Sequence, residues 1–151
     1  MDSETIIIFL HMFKAGGTTV TSKIADNFGP EHHAIFNTNP NHPRHPLVMK
    51  DPLLVTGHFL FGVHRYLNKP CKYITFLRDP VDRIVSAYFN IREPKCSGHS
   101  LHKLCTSVGL EEFVKQYRPE TQIQVDNYQV RELVGLAGEE SSSFEITEVD
   151  F

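Results

Sequence analysis

Three short segments carry residues whose types and spacing could do chemistry. The first is Lys14-Ala15-Gly16-Gly17-Thr18-Thr19. Adjacent glycines let the backbone turn tightly, so successive N–H groups can converge on one anion. A helix beginning there adds the positive end of its dipole. Lys14 supplies a full charge, and Thr18 and Thr19 supply hydroxyl donors. Together these are the parts of a phosphate cradle. A plain strand-to-helix turn would need glycine, but neither the lysine nor the threonines. In a Walker A loop, Gly-Lys-Ser/Thr stands at the helix entry and the hydroxyl meets magnesium. Here the lysine precedes the glycines, so the cation lies on the strand side of the anion.

The second segment runs from Arg78-Asp79-Pro80 to Ser86. Arg78 follows a strand pattern, at the carboxyl end where α/β sheets bind their ligands. Ser86 lies about two turns into the helix that follows. An arginine and a hydroxyl suit a second phosphate, through bidentate and single hydrogen bonds. The same residues also fit a local ion pair of Arg78 with Asp82 or Asp79, and a small packing serine. The third segment is Gly57-His58-Phe59-Leu60-Phe61-Gly62-Val63-His64. His58 comes just after a strand, where it can reach a ligand over the sheet. Its near-neutral pKa suits it to take a proton from an attacking hydroxyl. His64 fits either a substrate contact or a surface residue.

These residues need a scaffold, and the apolar pattern supplies one. Thr5–Leu10 is an unbroken β-branched run, as expected of a parallel strand buried on both faces. Val20, Ile24 and Phe28 recur at helical spacing before a Gly29-Pro30 stop. Residues 31–52, rich in Asn, His and Pro, are expected to connect with little regular structure. Leu53–Thr56 and Lys72–Leu77 are the next strands. Asp79 is placed to cap a helix with Pro80 in its first turn. Val81, Ile84, Val85 and Tyr88 give that helix its apolar stripe. Cys96–Thr106 is expected to be a polar linker. Further helices run through Leu110, Phe113, Val114 and Tyr117 to Pro119, and through Val130, Leu133 and Val134 to Gly138. Strands alternating with helices predict an α/β fold with a mainly parallel sheet covered on both faces.

Length and composition narrow the function classes. A chain of 151 residues suits one domain spanning 1–151, with a core that needs no metal or disulfide staple. A net charge of −3 argues against nucleic acid as a partner, because such binding needs a basic face. It leaves room for a local positive pocket. No apolar stretch approaches the ~20 residues of a membrane span. Ile6–Leu10 is too short for a signal-peptide core and follows acidic residues, so the chain as given is expected to be cytoplasmic. A Golgi-lumen location would apply to a piece of a longer, membrane-anchored protein.

Cys71, Cys96 and Cys105 are an odd number; Cys96 and Cys105 could bridge under oxidising conditions, but free thiols fit better. His32, His33, His42 and His45 invite a metal site. However, His42 and His45 lie in a proline-punctuated loop without accompanying Cys or carboxylate ligands, so no metal is expected. Nothing in the sequence sets an oligomeric state.

Taken in order, the motifs resemble those of carbohydrate sulfotransferases related to the heparan sulfate 2-O- and 6-O-enzymes and their bacterial relatives. The shared pattern is Lys-x-Gly-Gly-Thr at Lys14–Thr19, Gly-His-x-x-Phe-Gly at Gly57–Gly62, and Leu-Arg-Asp-Pro-Val-x-Arg-x-x-Ser-x-Tyr at Leu77–Tyr88. Asn127–Leu133 is similar to a later Asn-x-Gln-x-Arg-x-Leu segment. The resemblance spans residues 5 to about 138.

It implies a P-loop-like three-layer α/β/α domain of the sulfotransferase kind. It also implies 3′-phosphoadenosine 5′-phosphosulfate (PAPS) as the group donor, and a hydroxyl of a saccharide as the acceptor. Lys14, Ala15, Gly16, Gly17, Thr18 and Thr19 would hold the 5′-phosphosulfate. Arg78 and Ser86 would hold the 3′-phosphate, with Lys14 and His58 catalytic. Sulfuryl transfer is an in-line displacement like phosphoryl transfer, driven mostly by positioning and charge stabilisation. Phe13 and Ala15 depart from the usual Pro and Thr of that family. Relatives also continue past Phe151 with a further helix and strand, so a C-terminally truncated version of the fold is expected.

A protein of the same fold that binds the nucleotide without turnover is the alternative. A magnesium-dependent NTPase fits poorly without Gly-Lys-Ser/Thr. A cysteine phosphatase fits poorly because a strand fills the interval from Cys71 to Arg78. Arg44, Arg65, Arg92 and Lys95 could meet an acidic acceptor or be solvated charges. Asn127 and Arg131 could approach the ligands or pack within their helix.

Overall fold

The computed structural model describes residues 5–36, 44–46, 48–116 and 119–135. Four strands form one all-parallel sheet: β1 (Ile6–Leu10), β2 (His33–Phe36), β3 (Leu54–Gly57) and β4 (Cys71–Thr75), in the order β2-β3-β1-β4. The uninterrupted apolar run of β1 is explained by its place between two neighbours. Ile8 pairs with Val55 on one side and Tyr73 on the other, and both Ile8 and Phe9 are fully buried. β4 is an edge strand that alternates between half-buried and exposed residues, with Lys72 and Ile74 outward. Parallel strands carry all their following loops at one end, so the chemistry-bearing segments after β1, β3 and β4 meet there.

Among the described residues six α-helices accompany the sheet: α1 (Gly17–Ala25), α2 (Pro80–Ile91), α3 (His102–Ser107), α4 (Leu110–Lys115), α5 (Pro119–Val125) and α6 (Tyr128–Val134). The apolar interior divides into two clusters. One lies on the sheet around Ile8, Leu10, Met12 and Val55. The other is helical, with Tyr88 and Ile91 of α2 against Leu101, Cys105 and Phe113. Cys71, Cys96 and Cys105 are free thiols.

Several elements differ from the sequence expectation. Residues 31–52 contain β2, a strand hidden by its histidine. The His33 ring lies 2.7 Å from the Thr56 hydroxyl, so a polar residue sits satisfied in the sheet. Residues 37–43, with His42, lie outside the described residues. Among the described residues no group of three His, Cys, Asp or Glu could hold a metal. The segment Cys96–Thr106 is not a linker throughout; Leu101, just before α3, and Cys105 within it are buried. α1 ends at Ala25, so Phe28 lies in the following turn. On α2, Val81 is 67% exposed and the buried side is Arg83, Ala87, Tyr88 and Ile91. The final helix ends at Gly135, in a left-handed conformation; Tyr117 and Gly138 are outside the described residues. No helix among the described residues is long and apolar enough to cross a membrane.

Candidate functional site

β1 delivers the chain into a turn that needs unusual backbone. Lys14 has φ 64°, and Gly16, the residue before α1, has φ 81°. A non-glycine residue in this region is uncommon and costs free energy, which the surrounding turn must hold in place. The turn leaves the start of α1 open: no side chain caps it, and its first turn has no acidic residue. The first amides of a helix have no partner within it, so Gly17, Thr18 and Thr19 present unsatisfied N–H groups and the positive end of the dipole. The Lys14 ammonium donates to Asn90 Oδ1 at 3.1 Å, which ties the turn to α2.

A cleft of about 310 Å³ lies over this turn. Lys14, Gly16, Gly17, Thr18 and Thr19 line it from β1 and α1; Arg78, Ser86 and Asn90 line it from the β4–α2 side; His58 closes it from the end of β3. Arg78 donates to the Lys14 carbonyl at 3.4 Å, so the two cationic side chains belong to one construction. Its ion pair with Asp82 is present at 4.0 Å between exposed groups, a distance and setting at which such pairs contribute little. Ser86 and Asn90 stand four residues apart on one face of α2.

His11 was not singled out from the sequence, where it is the tail of a strand. It lines the same cleft, and its ring stacks on that of His58 with centroids 4.3 Å apart. His58 also hydrogen-bonds to the His11 main chain. Burial lowers the pKa of His58, against the smaller raising effect of that hydrogen bond. Burial, and then the charge of His58, lower His11 to about 4. The stack depends on Gly17. A Cβ there would stand 1.9 Å from the His11 ring. The available signal was position: His11 follows the central strand at its carboxyl end.

Helix α6 holds the motifs together from behind. The Gln129 side chain accepts from the Arg78 N–H at 2.9 Å and donates to the Arg78 carbonyl at 2.8 Å, gripping that backbone on both sides. Tyr128 hydrogen-bonds to the main chain of Phe13 and to the Glu132 side chain, and burial pushes its hydroxyl up to about 12. The Phe61 N–H donates to the Glu132 carbonyl at 2.8 Å. Arg83 is buried, lies 4.4 Å from the Tyr128 ring centroid, and donates to the Gln124 carbonyl. One short helix therefore touches the segments that follow β1, β3 and β4.

Some expected residues stay outside the cleft. Ala15 packs against the sheet cluster, and its N–H donates to the Met12 carbonyl at 3.3 Å. It is a support of the turn and does not line the cradle. His64 lies against Tyr73, whose hydroxyl is 3.0 Å from His64 Nδ1. Arg131 is buried and donates to the Ile123 carbonyl at 2.6 Å, with Asp126 at 3.7 Å. Asn127, with φ 45°, precedes α6. Arg92 donates to the Cys105 carbonyl at 2.9 Å, and Lys95 pairs with Glu93.

The sequence matches the model of the sulfotransferase family over residues 1–150, and the chain belongs to that family. No curated protein and no solved structure gave a match. The all-parallel sheet with its surrounding helices is consistent with the sulfotransferase fold.

Proposed function

Proceeding from membership of the sulfotransferase family, we propose that this chain takes a sulfuryl group from PAPS and places it on a hydroxyl of a carbohydrate-type acceptor. The observation that carries the proposal is the single cleft that gathers Lys14, Gly16, Gly17, Thr18, Thr19, Arg78, Ser86 and His58. The open start of α1 fits the donor group, because its unsatisfied amides need an anion and no acidic side chain supplies one. PAPS, when bound, supplies an activated sulfuryl group on a phosphate that leaves as part of 3′,5′-adenosine bisphosphate.

The chain's own residues have separable tasks. The first amides of α1, with the Thr18 and Thr19 hydroxyls, bind the 5′ side of the nucleotide. Lys14, held by Asn90, sets a positive charge where negative charge accumulates on the departing oxygen. Arg78 and Ser86 bind the 3′-phosphate across the cleft. His58 donates one ring N–H to the His11 main chain, which leaves the other nitrogen to accept the acceptor's proton. Its lowered pKa keeps that nitrogen unprotonated at neutral pH.

Calorimetric titration with 3′,5′-adenosine bisphosphate, with 5′-AMP as control, tests the donor site. The bisphosphate should bind more tightly than 5′-AMP. Lys14→Ala and Arg78→Ala should each weaken it by roughly 10- to 100-fold, the range for a lost charge-assisted hydrogen bond. Equal binding of the two nucleotides would overturn the assignment of Arg78 and Ser86. His58→Asn should retain nucleotide binding and lower transfer by about 10²- to 10⁴-fold. Binding without transfer to any hydroxyl acceptor would leave the silent nucleotide-binding protein as the function.

A further inference from the structure

Helix α6 is only seven residues long, and it is anchored at both ends on segments that serve the cleft. At its carboxyl end the Phe61 N–H donates to the Glu132 carbonyl at 2.8 Å. Gly135 follows with φ 76°, and a Cβ there would stand 2.7 Å from the Phe61 carbonyl oxygen. The helix end therefore lies backbone against backbone on the segment that follows β3. At its amino end Gln129 holds the Arg78 main chain, and Tyr128 reaches the turn after β1. A helix of this length has little stability of its own and spans about 10 Å. Its anchors fix it in place, and it fixes them relative to one another.

The Tyr128 anchor is a chain of two hydrogen bonds. The Phe13 N–H donates to the Tyr128 hydroxyl oxygen, and the hydroxyl donates to the Glu132 carboxylate. With its proton committed to Glu132, the oxygen is left to accept from Phe13. The ring is held as well. The Arg83 guanidinium lies 4.4 Å from its centroid, and the ring packs on the sheet cluster that includes Met12. Phe13 immediately precedes Lys14, whose φ is 64°. A non-glycine residue keeps that conformation only where its surroundings over-determine it. From within the turn the Ala15 N–H donates to the Met12 carbonyl at a long 3.3 Å. Tyr128 adds a constraint from outside, on the peptide that leads into Lys14.

Resting on the donor-site function above, we infer that Tyr128 is a positioning residue for Lys14: its hydroxyl, oriented by Glu132, holds the turn in the strained form that places Lys14 in the cleft lining. The 5′ side of the nucleotide meets that turn, and the 3′-phosphate meets Arg78. Adjacent residues of one helix, Tyr128 and Gln129, thus each support one of the two phosphate sites.

Tyr128→Phe keeps the ring and removes the hydroxyl. In calorimetry 3′,5′-adenosine bisphosphate and 5′-AMP should each bind about 3- to 10-fold more weakly, while 3′-AMP changes by less than about twofold. In a Lys14→Ala background most of that loss should disappear, because residues that act through one another are not additive. Glu132→Ala should weaken the 5′-phosphate ligands as Tyr128→Phe does. Glu132→Gln, which keeps an acceptor for the hydroxyl, should recover most of the loss. Amide hydrogen exchange reads the turn without any ligand: Phe13 should exchange about 3- to 10-fold faster in Tyr128→Phe, with β1 and α2 unchanged. An equal loss for all three nucleotides, a loss undiminished in the Lys14→Ala background, or unaltered exchange at Phe13 would overturn the inference. Faster exchange at Phe13 with no nucleotide bound by wild type would overturn the donor assignment instead, and leave Tyr128 as the brace of the turn.

Discussion

Two helices begin at the same end of this sheet, and they treat their first turn in opposite ways. α2 brings its own anion: Asp79 accepts from the Val81 and Asp82 N–H groups at 2.9 and 3.0 Å, and Asp82 adds a second carboxylate in the first turn. α1 has a left-handed glycine in the capping place, no cap and no acid, with a lysine two residues earlier. Both solve the problem of unpartnered amides. α2 solves it internally and α1 leaves it for a ligand. A strand-to-helix turn is thus marked as an anion site by the missing cap at least as much as by its glycines. α2 serves the cleft with its body, through Ser86 and Asn90.

Giving α1 the arrangement of α2 is the most severe way to break this contrast. Thr18 is exposed in the first turn, and Thr18→Glu would supply the absent carboxylate. Adenosine bisphosphate binding should weaken by about 100-fold or more. The unliganded protein should be no less stable, since an acid there contributes roughly 0.3–1 kcal/mol. A titration paired with a melting curve reads both. Next comes Gln129→Ala, which releases the Arg78 backbone. The bisphosphate should bind about 3- to 10-fold more weakly. Binding of 5′-AMP should hold, so the preference for a 3′-phosphate narrows; an equal loss for both nucleotides would show general damage instead.

Removing the cap that α2 does have gives a smaller and different effect. Asp79→Ala should cost about 1 kcal/mol in chemical denaturation, since its two accepted hydrogen bonds are lost. A further effect is on acid stability. A histidine whose folded-state pKa lies below its unfolded value takes up a proton on unfolding, so its contribution is complete above pH 6.5 and is lost as pH falls through the folded value. For His11 that window runs from 6.5 down to about 4. The melting temperature of wild type should decline more steeply across it than that of His11→Gln.

The same contrast explains what the sequence could reveal. The β1–α1 turn and the capped start of α2 were legible because their chemistry is local: Lys14, the glycines and the threonines are contiguous, as are Asp79 and Pro80. The Gln129 grip on Arg78 was not legible, because it joins residues 51 apart. Asn90 could have been found from Ser86 by helical spacing, but not as the partner of Lys14, 76 residues away. β2 was obscured because His33 looks like a loop residue until Thr56 is seen opposite. α3 and α5 are six- and seven-residue helices whose existence rests on burial against neighbours, which local preference cannot report. The residues proposed from the sequence converge in the cleft except Ala15, whose neighbours in the turn do face it.

Gly17 and His11 occupy one volume between them. Positions 11 and 17 are therefore not free to drift separately. A side chain at 17 would displace the imidazole at 11, and with it the surface on which His58 rests. Alanine at 17 beside histidine at 11 forces the imidazole out of its present place, whichever change comes first. A small residue at 11 would remove the clash and leave His58 without the ring on which it stacks.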